Sequence, residues 1–182
     1  LPAQGVKNYV GHQKNDANDA IAICEAAFSP KIHAVKIKTR AQQDLKLLVN
    51  LRNRSVQQRT QLINRVRAIA SEYGEIFPKG KTALLRVLDV KLEKSSLLSE
   101  IAKEVIQVLQ QEIIALNIKI KALDKRIEKT AKQEDAYERI RTIPGVGPVT
   151  AATVIADIGD AKSFKNGRQL SAWCGLVPKQ HS

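Results

Sequence analysis

Two stretches of the chain repeat apolar residues at three- and four-residue steps for about thirty residues each, a pattern that only long helices satisfy. The first runs through Leu45, Leu48, Val56, Leu62, Ile63, Val66, Ile69 and Tyr73. Thr39 can cap it and Gly74 can stop it. The second begins at Ser95 or Ser96 and runs to about Lys132, through Ile101, Val105, Val108, Leu109, Ile113, Leu116, Ile120, Leu123 and Ile127. Between them Gly74 to Gly80, with Phe77-Pro78-Lys79-Gly80, reads as a hinge, and Lys81 to Lys91 as a short helix. Helices of this length joined by a compact segment are expected to pair as an antiparallel coiled coil, an arm of roughly 50 Å. With nine glycines, three tyrosines and three phenylalanines, the rest of the chain also reads as helical, so the expected fold is mainly α.

Charge narrows the function. The 182 residues carry a formal charge of +12, which points to a polyanionic partner. The first long helix carries Arg40, Lys46, Arg52, Arg54, Arg59, Arg65 and Arg67 against only Asp44 and Glu72, so i,i+4 pairing does not explain its arginines. A solvated helix face is the plain reading of such a run. Phosphate contact explains a one-signed face better, and Arg52, Arg59, Arg65 and Arg67 are the candidates to bind DNA or RNA. No run reaches the eighteen or so apolar residues of a membrane span, and no signal peptide is visible. Cys24 and Cys174 are expected to be reduced, small buried apolar residues.

Downstream, Ile143-Pro144-Gly145-Val146-Gly147-Pro148-Val149-Thr150 leads at once into a helical pattern. Glycine tolerates positive φ and lets another backbone approach, and Pro148 suits the first turn of a helix. The stretch reads as a helix-hairpin-helix, whose turn offers free N–H groups to a phosphate oxygen; Gly145, Val146, Gly147 and Thr150 are its candidate contacts. Val149, Ala152, Val154 and Ile155 would pack the second helix on the first. An ordinary helical corner with a glycine-rich bend is the alternative.

At the other end, residues 1–13 read as extended or irregular, and a helix opens at Lys14-Asn15-Asp16 with Ala20, Ile23, Cys24 and Ala27 as its apolar stripe. Asn15 or Asp16 can cap it. Asp16 and Asp19 are three apart and share one face, where a divalent cation could lie between them; a capping Asp beside a second dipole-friendly Asp is the simpler account. Residues 32–37 alternate well enough for a short strand. Near the end, residues 167–174 read as a helix and residues 175–182 as a loop carrying Lys179, a further candidate for nucleic-acid contact, and Ser182. The expected division is 1–38, 39–133 and 134–182, within an internal piece of a longer protein.

Several of these motifs together resemble the bacterial insertion-sequence transposases that join a DEDD acidic domain to a C-terminal serine domain. These are the bridge-RNA-guided recombinases, related to the pilin-gene-inverting recombinase. The carrying residues are Lys14-Asn15-Asp16-Ala17-Asn18-Asp19-Ala20, the basic helix ending in Glu72-Tyr73-Gly74, Ile143 to Pro148, and Phe164 through Leu170 to Gly175-Leu176-Val177-Pro178. The resemblance implies that residues 1–38 are the remnant of an RNase H-like α/β domain, with Asp16 and Asp19 the last two of four acidic residues that bind Mg2+ or Mn2+. It implies that residues 134–182 begin the serine domain, and that Ser182 or the residue after it attacks a DNA phosphodiester. It further implies a guide RNA, a homodimer or higher homo-oligomer built through the coiled coil, a bacterial cytoplasmic setting and no membrane. A non-catalytic nucleic-acid-binding module built on the hairpin, and a coiled-coil scaffold, are the competing readings.

Overall fold

In the computed structural model, which describes residues 1, 3–11, 15–30, 32, 37–158 and 164–173, the helices are α1 (Ala3–Lys7), α2 (Asp16–Phe28), α3 (Arg40–Glu72), α4 (Lys81–Lys94), α5 (Glu100–Ala131), α6 (Ala136–Arg141), α7 (Pro148–Ile158) and α8 (Gly167–Trp173). No strand occurs among the described residues, so the mainly α expectation holds. The strand expected at 32–37 falls mostly on residues 33–36, which lie outside the described residues. The chain divides into two compact units, Arg40–Ile158 and a second made of Leu1–Thr39 with Gly159–Ser182.

In the larger unit α3 and α5 lie side by side. Arg52 meets Asp124 and Arg59 meets Asn117, so seven residues forward on one helix match seven backward on the other: the pair is antiparallel. Gly74, at φ +80°, ends α3. The Glu75 N–H donates to the Ala70 carbonyl at 2.9 Å and the Gly74 N–H to Ser71 at 3.0 Å, the double closure that a left-handed residue allows at a helix C-terminus. The chain then folds α4 onto the far end of the pair. Leu84, Leu88 and Leu92 of α4 enter one core with Ile63, Val66 and Ala70 of α3, Phe77 of the connecting turn, and Ala102, Ile106, Leu109 and Ile113 of α5. Lys91 bonds Glu75 at 2.6 Å and its Nζ sits 5.4 Å from the Phe77 ring centre, fastening the turn to α4.

Five expectations are corrected. The second long helix starts at Glu100, because the Ser99 hydroxyl accepts the Ala102 N–H at 3.2 Å, whereas Ser95 ends α4. Its buried face near that start is Ala102, Ile106, Leu109 and Ile113; Ile101, Val105 and Val108, one position away, are exposed. The reason is that α3 and α4 together cover one of two adjacent apolar stripes. In the smaller unit, residues 3–7 form α1 rather than an irregular segment, and Tyr9 donates to the Ser29 hydroxyl at 2.8 Å. There α2 buries Ala22 and Ala26, not Ile23 or Ala27, and Cys24 is an exposed free thiol. Cys174 lies outside the described residues.

Candidate nucleic-acid interface

The end of the arm opposite α4 carries the hairpin. Leu45 and Val49 of α3, Ile127 and Ala131 of α5, Tyr137 of α6, and Ala151, Ala152, Ile155 and Ala156 of α7 form one buried cluster. Three of the four α7 positions are alanine, so α7 lies close against both long helices. Val149 and Val154, expected in this packing, are only half-buried. Lys46 reaches from α3 to the Asp157 carboxylate and ties the end of α7 to the arm.

The turn between α6 and α7 takes its shape from two residues. Gly145 sits at φ +84°, a conformation that L side chains rarely adopt. The Arg141 guanidinium donates to the Val146 carbonyl at 2.6 Å and holds the loop over the end of α6. Pro148 is the first residue of α7 and has no N–H, so in that first turn Val149 and Thr150 supply N–H groups without an intrahelical acceptor. Thr150 is exposed on the same turn. Gly147 differs from Gly145: its φ is not positive, and a Cβ placed there would meet nothing within 4 Å. Neither backbone strain nor crowding inside the chain explains that glycine.

The four nominated arginines of α3 do not form one patch. Arg52 donates to Asp124 at 2.9 Å and Arg59 to Asn117 at 3.0 Å, both across the arm. Arg67 donates to the Pro78 and Gly80 carbonyls at 3.2 and 3.3 Å, bracing the turn before α4. Only Arg65 stands exposed with no such bond, and it shares the outer face of α3 with Arg54, eleven residues before it. Arg54 was not among the candidates; its signal is the eleven-residue step to Arg65. The carboxylate that balances Arg52 lies on another helix, which is why counting acids within α3 overstated its free charge.

Asp16 and Asp19 occupy the first turn of α2. Asn15 is the cap, its side-chain oxygen accepting the Asn18 N–H at 2.7 Å, so capping does not explain Asp16. Asp16 is exposed and Asp19 half-buried. Both are hard oxygen donors of the kind Mg2+ takes, yet no group of three or more His, Cys, Asp or Glu gathers among the described residues. Lys179 and Ser182 lie outside the described residues.

Comparison with known proteins gives this arrangement relatives. Residues 2–75 match a family model described as Transposase, of the DEDD kind found in IS110, and residues 137–182 match one described as Transposase IS116/IS110/IS902 family. The whole chain is 39% identical over 183 residues to a transposase for insertion sequence element IS1111A of Coxiella burnetii, covering 50% of that protein. It is 38% identical over 184 residues to a protein of Pseudomonas aeruginosa named "Probable family 20 transposase", covering 54% of it. Over 42 residues, 23% of this chain and 13% of the relative, it is 38% identical to the pilin gene-inverting protein of Moraxella bovis. No solved structure matches. By sequence the chain is similar to IS110/IS116 transposases and carries the two matched segments in order. It spans about half the length of the relatives it matches along its whole extent.

Proposed function

We propose that this chain is part of an insertion-sequence transposase that cuts and exchanges DNA strands through a metal-binding acidic pair and a serine nucleophile, guided by a bridge RNA. The observation that carries the reading is similarity to insertion-sequence transposases along the whole of this chain, with an unstrained, uncrowded Gly147 beside free N–H groups at the start of α7. A glycine with no internal reason fits a turn that a phosphate oxygen approaches, as in a helix-hairpin-helix. Gly145, Val146, Gly147 and Thr150 would hold the backbone at the turn, with Arg54 and Arg65, exposed along α3, and Lys179 as further candidate cations. Arg52, Arg59 and Arg67 chiefly brace the arm that presents them.

Asp16 and Asp19 would supply two carboxylates to Mg2+ or Mn2+, an ion that when bound polarises a DNA phosphodiester. The serine at or just after position 182 forms a serine–DNA ester as its Oγ attacks phosphorus and a deoxyribose oxygen leaves. Residues 1–38 belong to an RNase H-like domain, 39–133 to a coiled-coil arm and 134–182 to the start of the serine domain. The exposed stripe Ile101, Val105 and Val108 supports assembly of two or more copies through the arm, because it lies on one face of a helix already packed on another. No helix among the described residues is long and apolar enough to cross a membrane; a cytoplasmic setting is part of the proposal.

The test is strand exchange by the parent protein on a supercoiled plasmid. Asp16→Asn and Asp19→Asn should each abolish exchange while leaving DNA retention intact; undiminished exchange would remove the acidic pair from the mechanism. A second reading, a non-catalytic hairpin module, is favoured by the lack of a third metal donor near Asp16 and Asp19 among the described residues. It requires both variants to be neutral.

A further inference from the structure

The last third of α5 turns one face to the core and another to solvent. Leu123, Ile127 and Ala131 are buried, each four residues from the last. On the opposite side Ala122, Lys125, Arg126, Lys129, Thr130 and Gln133 line an open groove of about 540 Å³. The first five follow steps of three, one, three and one, a single face of α5 about 12 Å long, and Gln133 comes just past the helix end. Three of the six are cations, and all three are exposed.

Helices usually neutralise such a run with carboxylates three or four residues away. Here both nearby carboxylates are engaged elsewhere. Asp124 accepts from Arg52 across the arm at 2.9 Å, and Glu128 pairs with Lys132 at 3.0 Å. Lys125, Arg126 and Lys129 therefore form a one-signed surface, bounded on its C-terminal side by Glu134 and Asp135.

We propose that this face of α5 docks the phosphate backbone of duplex DNA, at a site separate from the hairpin turn and from the arginines of α3. The inference rests on the reading of the chain as part of a transposase. Polarity and position set the class of partner: side-chain donors at steps of about 6 Å meet a polyanion of high charge density. Single strands are held by aromatic platforms as well as charge, and the groove has no ring. Tyr137, the aromatic residue that follows, is buried. Duplex backbone needs only cations and neutral donors, and Gln133 adds such a donor to the three charges.

The experiment measures binding of the 182-residue chain to a blunt DNA duplex of arbitrary sequence by fluorescence anisotropy across a salt series. The test variant is Lys125→Gln/Arg126→Gln/Lys129→Gln. The control is Lys79→Gln/Lys81→Gln/Lys94→Gln, which removes the same charge at the other end of the arm. The proposal expects a loss of about tenfold or more for the test variant, with the log–log salt slope falling by about two to three, and a clearly smaller change for the control. Equal losses in the two would reduce the effect to net charge and overturn the proposal, as would unchanged binding by the test variant. Loss confined to an RNA duplex or to a single strand would overturn the assignment to duplex DNA. If the unaltered chain binds no nucleic acid, the transposase reading of its basic surfaces falls too, whereas binding that ignores the test variant sinks this site alone. Should the triple change disturb folding by circular dichroism, Lys129→Gln alone should lower the slope by about one, and an unchanged slope counts against the site.

Discussion

The two ends of the helical arm are closed by different chemistry. At the far end large aliphatic side chains, Leu84, Leu88, Leu92, Ile106 and Ile113, fill the space between three helices. At the near end alanines at 151, 152 and 156 let α7 press on α3 and α5, around the single large ring of Tyr137. A core of big side chains tolerates some repacking and mainly supplies stability, whereas a close alanine contact fixes position. The far end holds the arm together, and the near end aims the hairpin turn.

If that contrast is right, Leu88→Ala should cause the largest loss of stability, about 2–5 kcal/mol, while DNA binding below the melting temperature stays unchanged. Thermal melting and anisotropy on the same sample separate the two effects. Ala152→Leu should cost less, about 1–3 kcal/mol, yet weaken DNA binding by displacing α7. Equal binding by both variants would erase the distinction between the ends.

Within the near end the two glycines can be set against each other. Gly145→Ala should lower stability by about 1–2 kcal/mol, because alanine must adopt φ +84°. Gly147→Ala should leave the melting temperature alone and weaken binding, since only an outside group would meet the new methyl. A shift in melting temperature for Gly147→Ala would assign that glycine to folding.

The smallest effects are pH limbs, one for each end. Hydrogen bonds from Lys91 and then Ser95 hold the Glu75 carboxyl below its ordinary value of 4.5. Its contribution is present above that value and is lost as pH falls through the lowered one, so Glu75→Gln should flatten the acid limb of melting temperature against pH. Burial pushes the Tyr137 phenol above its ordinary 10.0. Folding then favours the neutral ring, and stability is constant below pH 10 and falls as pH rises further, because the unfolded chain releases that proton first. Tyr137→Phe should flatten this alkaline limb. It should also cost little at neutral pH, since the buried hydroxyl has no hydrogen-bond partner among the described residues.

Much of this arm was legible in sequence. The stop at Gly74, the start at Pro148 and the long periodic runs are local signals, and local signals survive into the fold. Which stripe of α5 faces inward was not legible. Ile101, Val105 and Val108 are as apolar as Ile106, Leu109 and Ile113, and only packing on α3 and α4 decides between them. The buried alanines of α7 were hidden for a related reason: small side chains give a weak periodic signal, although they permit the closest contact. At the candidate site, Gly145 could be read from its neighbours. The fate of Arg52 could not, because its partner Asp124 is 72 residues away. The acidic pair was visible as a spacing; Asn15 as the actual cap removes capping as its explanation, while both carboxylates still sit in the first turn, where the helix dipole favours them.

The pairing of Arg52 with Asp124 and Arg59 with Asn117 makes the arm a ruler with matched graduations. Excising seven residues from one long helix would throw every downstream match out of step. Excising seven from both would shorten the arm by roughly 10 Å and turn its end by only about 20°, so the span between the two closures can be reset in whole notches while each closure keeps its own construction.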